Sequence, residues 1–366
     1  MTLLDRWLFR TLLQSWLVSF ISVASLYIVI DLFTKLDDFL EVARQTEWPI
    51  YRVVVEFYSY QLLMIFDRLY AVMTMLAAIF SLTWLQRHNE LIPFLAAGVP
   101  MRRILRPILL GTMMIIGLSV INRELILPQL ADRMHLSVKD MFSDRPLQVT
   151  GSYDPSGILI EGLTAFREEQ LIKHFSCTIP ARLAGTLLFV NAKEARYIEP
   201  SNEPYSGGWL LTDATQVDLS NWTNPLLIEI DPGKYFLKTT WVDFKRLTRP
   251  KNWHLLASTK ALYQELELEG TTHLATLSMQ MHQRFTAPLM AMVLVLLAVV
   301  IVLHDHQLSL FIKMGACFVL ATLFIASSFV ANYLGDRELV ASALAAWLPL
   351  FGFGPLCLTF LDAIQS

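Results

Sequence analysis

Residues 285–303 read FTAPLMAMVLVLLAVVIVL, nineteen residues without a charged side chain. An α-helix rises about 1.5 Å per residue, so about 20 apolar residues cross the roughly 30 Å hydrocarbon core of a bilayer. The composition of the whole chain agrees with this interpretation, because 54% of its 366 residues are hydrophobic and 17% are charged. The sequence therefore predicts a membrane protein.

Five further stretches are long and apolar enough to span a bilayer, and they are residues 12–33, 69–85, 104–121, 308–333 and 339–361. The second is expected to extend back as a helix towards Val53. The first is too long for the core of a signal peptide and lacks a small-residue cleavage site, so we expect it to be kept as the first span. Three spans thus precede a long polar interval and three follow it.

The distribution of Lys and Arg predicts the orientation, because these residues collect in short cytoplasmic loops. Arg6 and Arg10 precede the first span, and the link between the second and third spans is flanked by Arg87, Arg102, Arg103 and Arg106. The loop after the first span is more acidic than basic. We therefore expect both termini to be cytoplasmic and residues 123–284 to be exported.

Residues 123–270 are predicted to form an extracytoplasmic β domain, inserted between membrane segments 1–122 and 271–366. Alternating hydrophobicity indicates strands at residues 157–161, 186–197, 209–219 and 235–244, separated by turn residues at 154–157, 200–208 and 231–233. Ser258 is expected to cap a short helix ending near residue 267. The predicted fold class is a polytopic α-helical membrane protein with six transmembrane helices and an inserted all-β domain resembling a sandwich or jelly roll.

The aromatic residues of this domain have two interpretations. Trp209, Trp222, Trp241 and Trp253 could line a slot for acyl chains, or they could be ordinary core residues, since a sandwich needs inward apolar side chains in either case.

Catalytic and cofactor motifs are missing from the sequence. It contains no phosphate-binding loop, no His-Glu-x-x-His zinc motif and no Gly-x-Ser-x-Gly elbow. The net charge of −3 shows no basic excess for nucleic acid. The three cysteines are far apart and are expected to be buried small residues, and His304, Asp305 and His306 are expected to form a solvated turn. We therefore expect a non-catalytic protein without a cofactor or metal.

Charged residues inside or at the ends of the spans are candidates for function, because burying charge in lipid is costly. Asp67 and Arg68 interrupt the second span, where a snorkelling or paired charge is the simplest explanation. Asp31 and Lys35 lie one helical turn apart at the outer end of the first span. They are either an i,i+4 ion pair, or Lys35 binds an anionic lipid head group.

The cytoplasmic loop between the second and third spans contains a candidate docking helix at about residues 88–99. Its small residues allow another protein to approach closely, Pro100 ends it, and Glu90 offers a carboxylate to an arginine of a partner. An amphipathic connector on the membrane surface is the alternative.

The sequence resembles the LptF/LptG family of lipopolysaccharide-export permeases over nearly its whole length. The matching motifs are Leu4-Asp5-Arg6, Asn89-Glu90-Leu91, Ala97-Gly98-Val99 with Arg103 and Pro107, His282-x-Arg284-x-x-x-Pro288-Leu289, and Ala345-Ala346-Trp347-Leu348-Pro349.

The resemblance implies a half-permease in the bacterial inner membrane that pairs with a homologous subunit, as a hetero- or homodimer, and with a cytoplasmic ABC ATPase dimer. The complex would extract lipopolysaccharide or a related glycolipid and pass it to a periplasmic bridge protein towards the outer membrane. The first and fifth spans would form the lateral gate, and lipid contacts are expected at Lys35, Asp31 and Arg68. The residues implied for ATPase coupling are Glu90, Leu91, Phe94, Ala97, Gly98, Val99 and Arg103.

Three other functions were considered. A membrane scaffold or sensor would bind a lipid or protein through its outer domain without transport, but the cytoplasmic loops are too short for an output domain. A membrane-embedded lipid enzyme would need a cluster of acidic or histidine residues at one interface, and none is convincing. Permeases of the lipoprotein-releasing type place one span before the outer domain, whereas this sequence places three.

Overall fold

The computed structural model describes residues 3–88, 93, 96, 98, 100–134, 146–167, 169–201, 205–215, 226–239, 241–250, 252–267, 274–304 and 310–365. The chain forms two compact units. The membrane unit consists of Met1–Met134, Leu255–Tyr263 and His273–Ser366, and the β unit consists of His135–His254 and Gln264–Thr272.

The helices that the structure describes in both units are α1 (Leu3–Thr34), α2 (Leu36–Thr46), α3 (Ile50–Arg87), α4 (Met101–Ile121), α5 (Leu127–Met134), α6 (Ala181–Ala184), α7 (Phe244–Leu247), α8 (Thr259–Leu266), α9 (Leu274–His304), α10 (Leu310–Asp336) and α11 (Ser342–Gln365). A π-helical turn, Asn122–Ile126, joins α4 to α5, and a 3₁₀ turn covers Trp253–Leu255.

The prediction of six membrane spans is confirmed, because six of these helices have the length and hydropathy to cross a bilayer. They are α1, α3, α4 with its continuation, α9, α10 and α11. The predicted backward extension of the second span is also confirmed, since α3 begins at Ile50.

The core of the membrane unit lies where α1, α3, α4, α9 and α10 meet, around buried residues such as Leu12, Met75 and Val295. Helices α1 and α4 pack closely at Gly111. A Cβ at that position would come within 2.4 Å of a methyl group of Leu12, so the side chain of Leu12 would have to move.

Helix α2 was missed from the sequence because eleven residues are too few for a span. It is amphipathic, and its inward side chains Phe39 and Val42 are fully or almost fully buried. Phe39 packs edge-to-face on Phe57 of α3, with ring centroids 5.5 Å apart. The helix therefore fixes the end of α1 against the first turns of α3.

The β unit contains one antiparallel sheet with the described strands β1 (Leu147–Gln148), β2 (Ser152–Tyr153), β3 (Leu159–Glu161), β4 (Thr164–Phe166), β5 (Leu171–Ile179), β6 (Leu188–Ile198), β7 (Gly208–Ala214), β8 (Leu227–Asp231) and β9 (Lys234–Lys238). The order is β1-β4-β5-β6-β7-β9-β8, and β3 pairs with both β2 and β5. The predicted inserted antiparallel β domain is confirmed. The strand prediction for residues 235–244 is wrong beyond Lys238, because Asp243 caps the next helix by accepting the amide of Arg246 at 2.7 Å.

The regular pairing is interrupted at one position in each of the three central strands, β5, β6 and β7. The pairing of β5 with β6 skips His174 and Lys193, and the pairing of β6 with β7 skips Lys193 and Asp213. His174 and Asp213 have φ values of +54° and +51°, which L residues rarely adopt. Along β5, the residues that face the core change from even to odd numbers at His174. Ile172 and Phe175 are therefore both buried in one core.

The core of the β unit is filled by its own side chains. Trp209 is fully buried and donates its indole N–H to the carbonyl of Val242 at 2.9 Å. Val242, Phe244 and Leu247 of the segment after β9 belong to the same apolar cluster. This segment therefore contributes to the core that the strands surround.

Candidate functional site

The first polar cluster lies at the end of α1. The Lys35 ammonium is 2.9 Å from Oδ1 of Asp31, and the buried phenol of Tyr58 donates to Oδ2 of the same carboxylate at 2.9 Å. Lys35 also lies 5.3 Å from the centroid of the Phe57 ring. The i,i+4 pair that the spacing suggested is thus present in this structure. The alternative, a lipid contact by Lys35, requires the head group to compete with Asp31.

The second polar cluster explains Asp67. Both of its oxygens accept hydrogen bonds from Arg123, with Nε to Oδ1 at 3.0 Å and Nη2 to Oδ2 at 2.9 Å. Asp67 is 8% exposed, and a paired carboxylate is far cheaper to bury than an isolated one. The pairing prediction for Asp67 is confirmed, but its partner is 56 positions away and could not be read from the sequence.

The π-helical turn aims two neighbouring charges at different helices. Arg123 meets Asp67 of α3, whereas the next residue, Glu124, meets α8 and α9. Its carboxylate accepts the backbone amide of Thr259 at 2.8 Å, the hydroxyl of Thr259 at 2.6 Å and an N–H of Arg284 at 3.0 Å. Single π-turns of this kind are frequent at functional sites.

Arg284 completes this arrangement from α9. It donates to Glu124, to the hydroxyl of Thr259 at 3.3 Å and to the carbonyl of Ala257. The predicted cap of Ser258 is confirmed, since its Oγ accepts the amide of Ala261 at 3.2 Å. The start of α8 is therefore held by one local cap and by a glutamate from the third span.

A cavity of about 100 Å³ in the membrane unit adjoins the Asp67–Arg123 pair and Arg284. Its charged lining consists of Asp67, Arg68, Arg123 and Arg284, and Gln280 is the remaining polar residue. Its apolar lining comprises Met64, Leu127, Leu255 and Leu256. Sequence reasoning identified Arg68 but did not associate it with Arg123 or Arg284, because these residues are distant in sequence.

The predicted docking helix falls mostly outside the described residues. Nothing is assigned to Glu90, Leu91, Phe94, Ala97 or Val99. Gly98 is exposed with φ +73°, and Arg103, in the first turn of α4, is exposed. The backbone of Arg103 is held by a 2.9 Å hydrogen bond from its amide to the carbonyl of Pro100.

The four tryptophans do not all face one slot. Trp209 is a core residue, Trp241 is 45% exposed, and Trp253 is half-buried under the guanidinium of Arg249 at 4.7 Å. Trp222 lies outside the described residues. Core packing therefore accounts for Trp209, and the described tryptophans have separate surroundings.

Two titratable groups of the β unit stay protonated near neutral pH. Burial raises the pKa of the Cys177 thiol to about 12. Burial, together with the nearby carboxylates of Asp243 and Glu199, raises the pKa of Tyr197. Among the described residues, no group of three or more His, Cys, Asp or Glu side chains is arranged to hold a metal ion. His304 ends α9, while Asp305 and His306 lie outside the described residues.

Comparison with protein families places these observations in context. The family model described as lipopolysaccharide export system permease LptF/LptG matches residues 6–362. A comparison with curated proteins gave no match. The matched range includes all six spans and the β insertion, and this confirms the resemblance inferred from the motifs. The chain therefore belongs to the LptF/LptG family of lipopolysaccharide-export permeases and is a multi-pass protein of the inner membrane.

Proposed function

We propose that this protein is one permease half of an ABC transporter that extracts lipopolysaccharide, or a related glycolipid, from the inner membrane. The observation that carries the proposal is the family match over residues 6–362, in a chain with three spans before and three after one β unit. The permease is non-catalytic and needs no cofactor in this scheme, and a separate cytoplasmic ATPase dimer supplies the energy.

Both termini and the segment around Glu90 face the cytoplasm in this proposal, and the β unit faces the periplasm. The asymmetry of arginines around the spans supports this orientation. Residues 123–270 then act as the periplasmic domain that passes the lipid to a bridge protein, and residues 1–122 and 271–366 form the membrane part.

The least buried spans of the membrane unit are suited to face lipid or a homologous permease. In the most hydrophobic window, 6% of the residues are buried in α1, 17% in α10 and 22% in α11, compared with 56% in α3 and 61% in α9. Side chains such as Leu26 of α1 and Phe318 of α10 are largely exposed. Apolar surface of this extent marks an interface with lipid or with another protein, which supports α1 and α10 as the lateral gate.

The ATPase-coupling residues in the proposal are Glu90, Leu91, Phe94, Ala97, Gly98, Val99 and Arg103. Support comes from their place in the arginine-flanked loop, and from the exposure of Gly98 and Arg103. Lys35, Asp31 and Arg68 are the proposed lipid-contacting residues. Asp31 then acts as the resident counter-ion that a lipid phosphate displaces from Lys35.

Affinity purification tests the proposal. The wild-type protein is expected to retain an ATPase dimer and a second permease chain, with lipopolysaccharide identified among the bound lipids by mass spectrometry. Glu90→Lys is expected to lose the ATPase but keep the lipid and the elution volume of the folded protein, because it reverses the charge offered to the motor.

Glu338→Lys is the matched control, since Glu338 is an exposed glutamate in the short turn before α11. This variant is expected to retain the ATPase. The coupling assignment is wrong if Glu90→Lys keeps the ATPase. The transporter proposal is wrong if the wild-type protein retains lipid but no ATPase, a result that favours a membrane scaffold.

A further inference from the structure

Arg68, Arg123 and Arg284 lie at a similar depth on three different helices. Arg68 is 19 residues before the end of α3 at Arg87 (87 − 68), and Arg284 is 20 residues before the end of α9 at His304 (304 − 284). Arg123 follows the start of α4 at Met101 by 22 residues (123 − 101). At about 1.5 Å per residue these separations are all roughly 30 Å, the thickness of a hydrocarbon core.

This depth is the level of lipid head groups at the far side of the bilayer from Arg87 and His304. Arginine at this level is solvated by phosphates and interfacial water. All three arginines line the same cavity. The coincidence of depth and location indicates a built basic site rather than three separate snorkelling side chains.

The charges in the cavity do not cancel. Arg123 is neutralised by Asp67, and Arg284 is neutralised by Glu124. Arg68 is exposed and has no ion pair with any residue that the structure describes. The four charged lining residues together with Glu124 therefore leave one positive charge, located at Arg68.

Unused hydrogen-bond donors line the same cavity as Arg68. Over the described part of the chain, neither the amide of Gln280 nor the Nη1 group of Arg123 has a hydrogen-bond partner. Both oxygens of Asp67 are already occupied by Arg123, so the carboxylate is compensated. A tetrahedral oxyanion would accept hydrogen bonds from these donors and balance the positive charge. The cavity volume of about 100 Å³ is several times what one water molecule requires.

We propose that the cavity lined by Arg68, Arg123, Gln280 and Arg284 binds the phosphate of an anionic lipid head group. The apolar part of the lining, which includes Met64 and Leu256, suits the region where the head group meets the acyl chains. Placing the bound lipid in the periplasmic leaflet rests on the proposed function and its orientation. The identification of phosphate as the ligand does not depend on that orientation.

Lipid binding to the purified permease in detergent micelles tests this site. Native mass spectrometry is used to compare phosphatidylglycerol and diphosphorylated lipid A with phosphatidylcholine, a zwitterionic lipid. The wild-type protein is expected to retain the anionic lipids preferentially. Arg68→Gln is expected to weaken that retention about tenfold or more, the size of one charge-assisted hydrogen bond.

Arg52→Gln is the matched control, because Arg52 is an exposed arginine of the same helix that stacks over Trp48 at 4.1 Å. It is expected to retain the lipids as the wild type does. Arg68→Lys, which keeps the charge but loses the fork of donors, is expected to recover part of the binding. Gln280→Leu removes a second ligand without changing charge and is expected to give a smaller loss.

Unchanged lipid retention in Arg68→Gln would overturn the site. An equal loss in Arg52→Gln would also overturn it, because the effect would then be general surface charge. Titration with inorganic phosphate distinguishes a lipid phosphate from a soluble phosphate as the ligand. Arg68-dependent binding of phosphate without binding of phosphatidylglycerol or lipid A would replace the lipid with a soluble oxyanion and contradict the proposal.

The ATPase is not required in this assay, so its result is independent of the coupling experiment. A permease that retains its ATPase but shows no role for Arg68 keeps the proposed function and loses this site. If Arg68 is required for lipid binding but the protein retains no ATPase, the lipid site stands and the transporter proposal is wrong.

Discussion

The two units of the chain differ in where some of their charged and aromatic side chains lie. In the membrane unit Phe318 is 73% exposed while Asp67 is 8% exposed. In the β unit Trp209 is fully buried, while the side chain of Lys193 is 78% exposed. In the membrane unit the exposed Phe318 faces lipid, and in the β unit the exposed Lys193 faces water.

Ion pairs differ in burial rather than by unit, since Arg246 and Glu265 of the β unit also form a largely buried pair. Asp67 and Arg123 form a two-point pair inside the helices, whereas Lys193 and Asp213 meet at 3.5 Å on the surface of the sheet. Breaking a buried pair leaves a charge without a partner, while an exposed pair is screened by water. The two ion pairs therefore differ in energy because they differ in burial.

The largest predicted effect is the loss of the buried pair. Asp67→Asn removes the counter-charge of Arg123 and is expected to cost about 3–5 kcal/mol of stability. Asp213→Asn is the matched change on the sheet and is expected to cost about 0–1 kcal/mol. Chemical unfolding of the purified variants in detergent measures both. Equal losses in the two variants would contradict the contrast between the buried pair and the exposed pair.

The next prediction tests which solvent each surface meets. Phe318→Asp places a carboxylate in lipid and is expected to cost about 2.5–3.5 kcal/mol of membrane insertion. Phe189→Asp, at a residue of β6 that is 62% exposed, is expected to change stability by about 0.5 kcal/mol or less, because this side chain faces water. The amount of each variant in the membrane fraction is the measurement. A tolerated Phe318→Asp would show that α10 does not face an apolar environment.

Much of this contrast could be predicted from sequence, because it follows from local patterns. Runs of about 20 apolar residues predicted the six spans, and the change to alternating hydrophobicity predicted the inserted β domain. The strand Leu171–Ile179 was not assigned. Its inward pattern changes phase at His174, so the alternation of period two is broken within the strand.

The polar sites were only half predictable. Asp67 and Arg68 stood out as charges within an apolar segment, whereas Arg284 was noted only as part of a family motif. Their partners come from other helices, and long-range pairing has no local signature. The role of Glu124 depends on a π-turn, which changes the direction of side chains by inserting one residue into a turn. The sequence thus identified which residues are unusual, and the structure showed which of them meet.

A smaller effect separates the two supports of helix α8. Ser258→Ala removes the local cap and is expected to cost about 1 kcal/mol. Glu124→Gln is expected to cost more, because it weakens hydrogen bonds to Thr259 and leaves Arg284 without its counter-charge. Thermal unfolding gives the order of the two. A larger loss in Ser258→Ala would mean that Glu124 does not support this helix.

The last prediction concerns the rate at which Cys177 is alkylated, and it has the smallest effect on the stability of the fold. Only the thiolate reacts with alkylating reagents, and the pKa of this buried thiol is raised to about 12. Native protein at pH 8 is therefore expected to leave Cys177 unlabelled until it unfolds. A cysteine placed at Phe189, on the exposed side of the sheet, should react within minutes and serves as the control.

The same raised pKa has a consequence for stability. The neutral thiol is favoured in the folded state, so its contribution is complete below a pH of about 8.5, the unfolded value, and is lost as pH rises towards 12. Substituting Cys177 with Ala should reduce this alkaline loss. An identical pH dependence in both proteins would contradict the burial of the thiol.

Labelling of introduced cysteines across the membrane tests the central claim most directly. In a background without native cysteines, Thr212→Cys on β7 and Ala97→Cys in the arginine-flanked loop are exposed to a membrane-impermeant maleimide in intact spheroplasts. The account predicts that Thr212→Cys is labelled at once and that Ala97→Cys is labelled only after the membrane is opened. Labelling of both positions from the same side would contradict it.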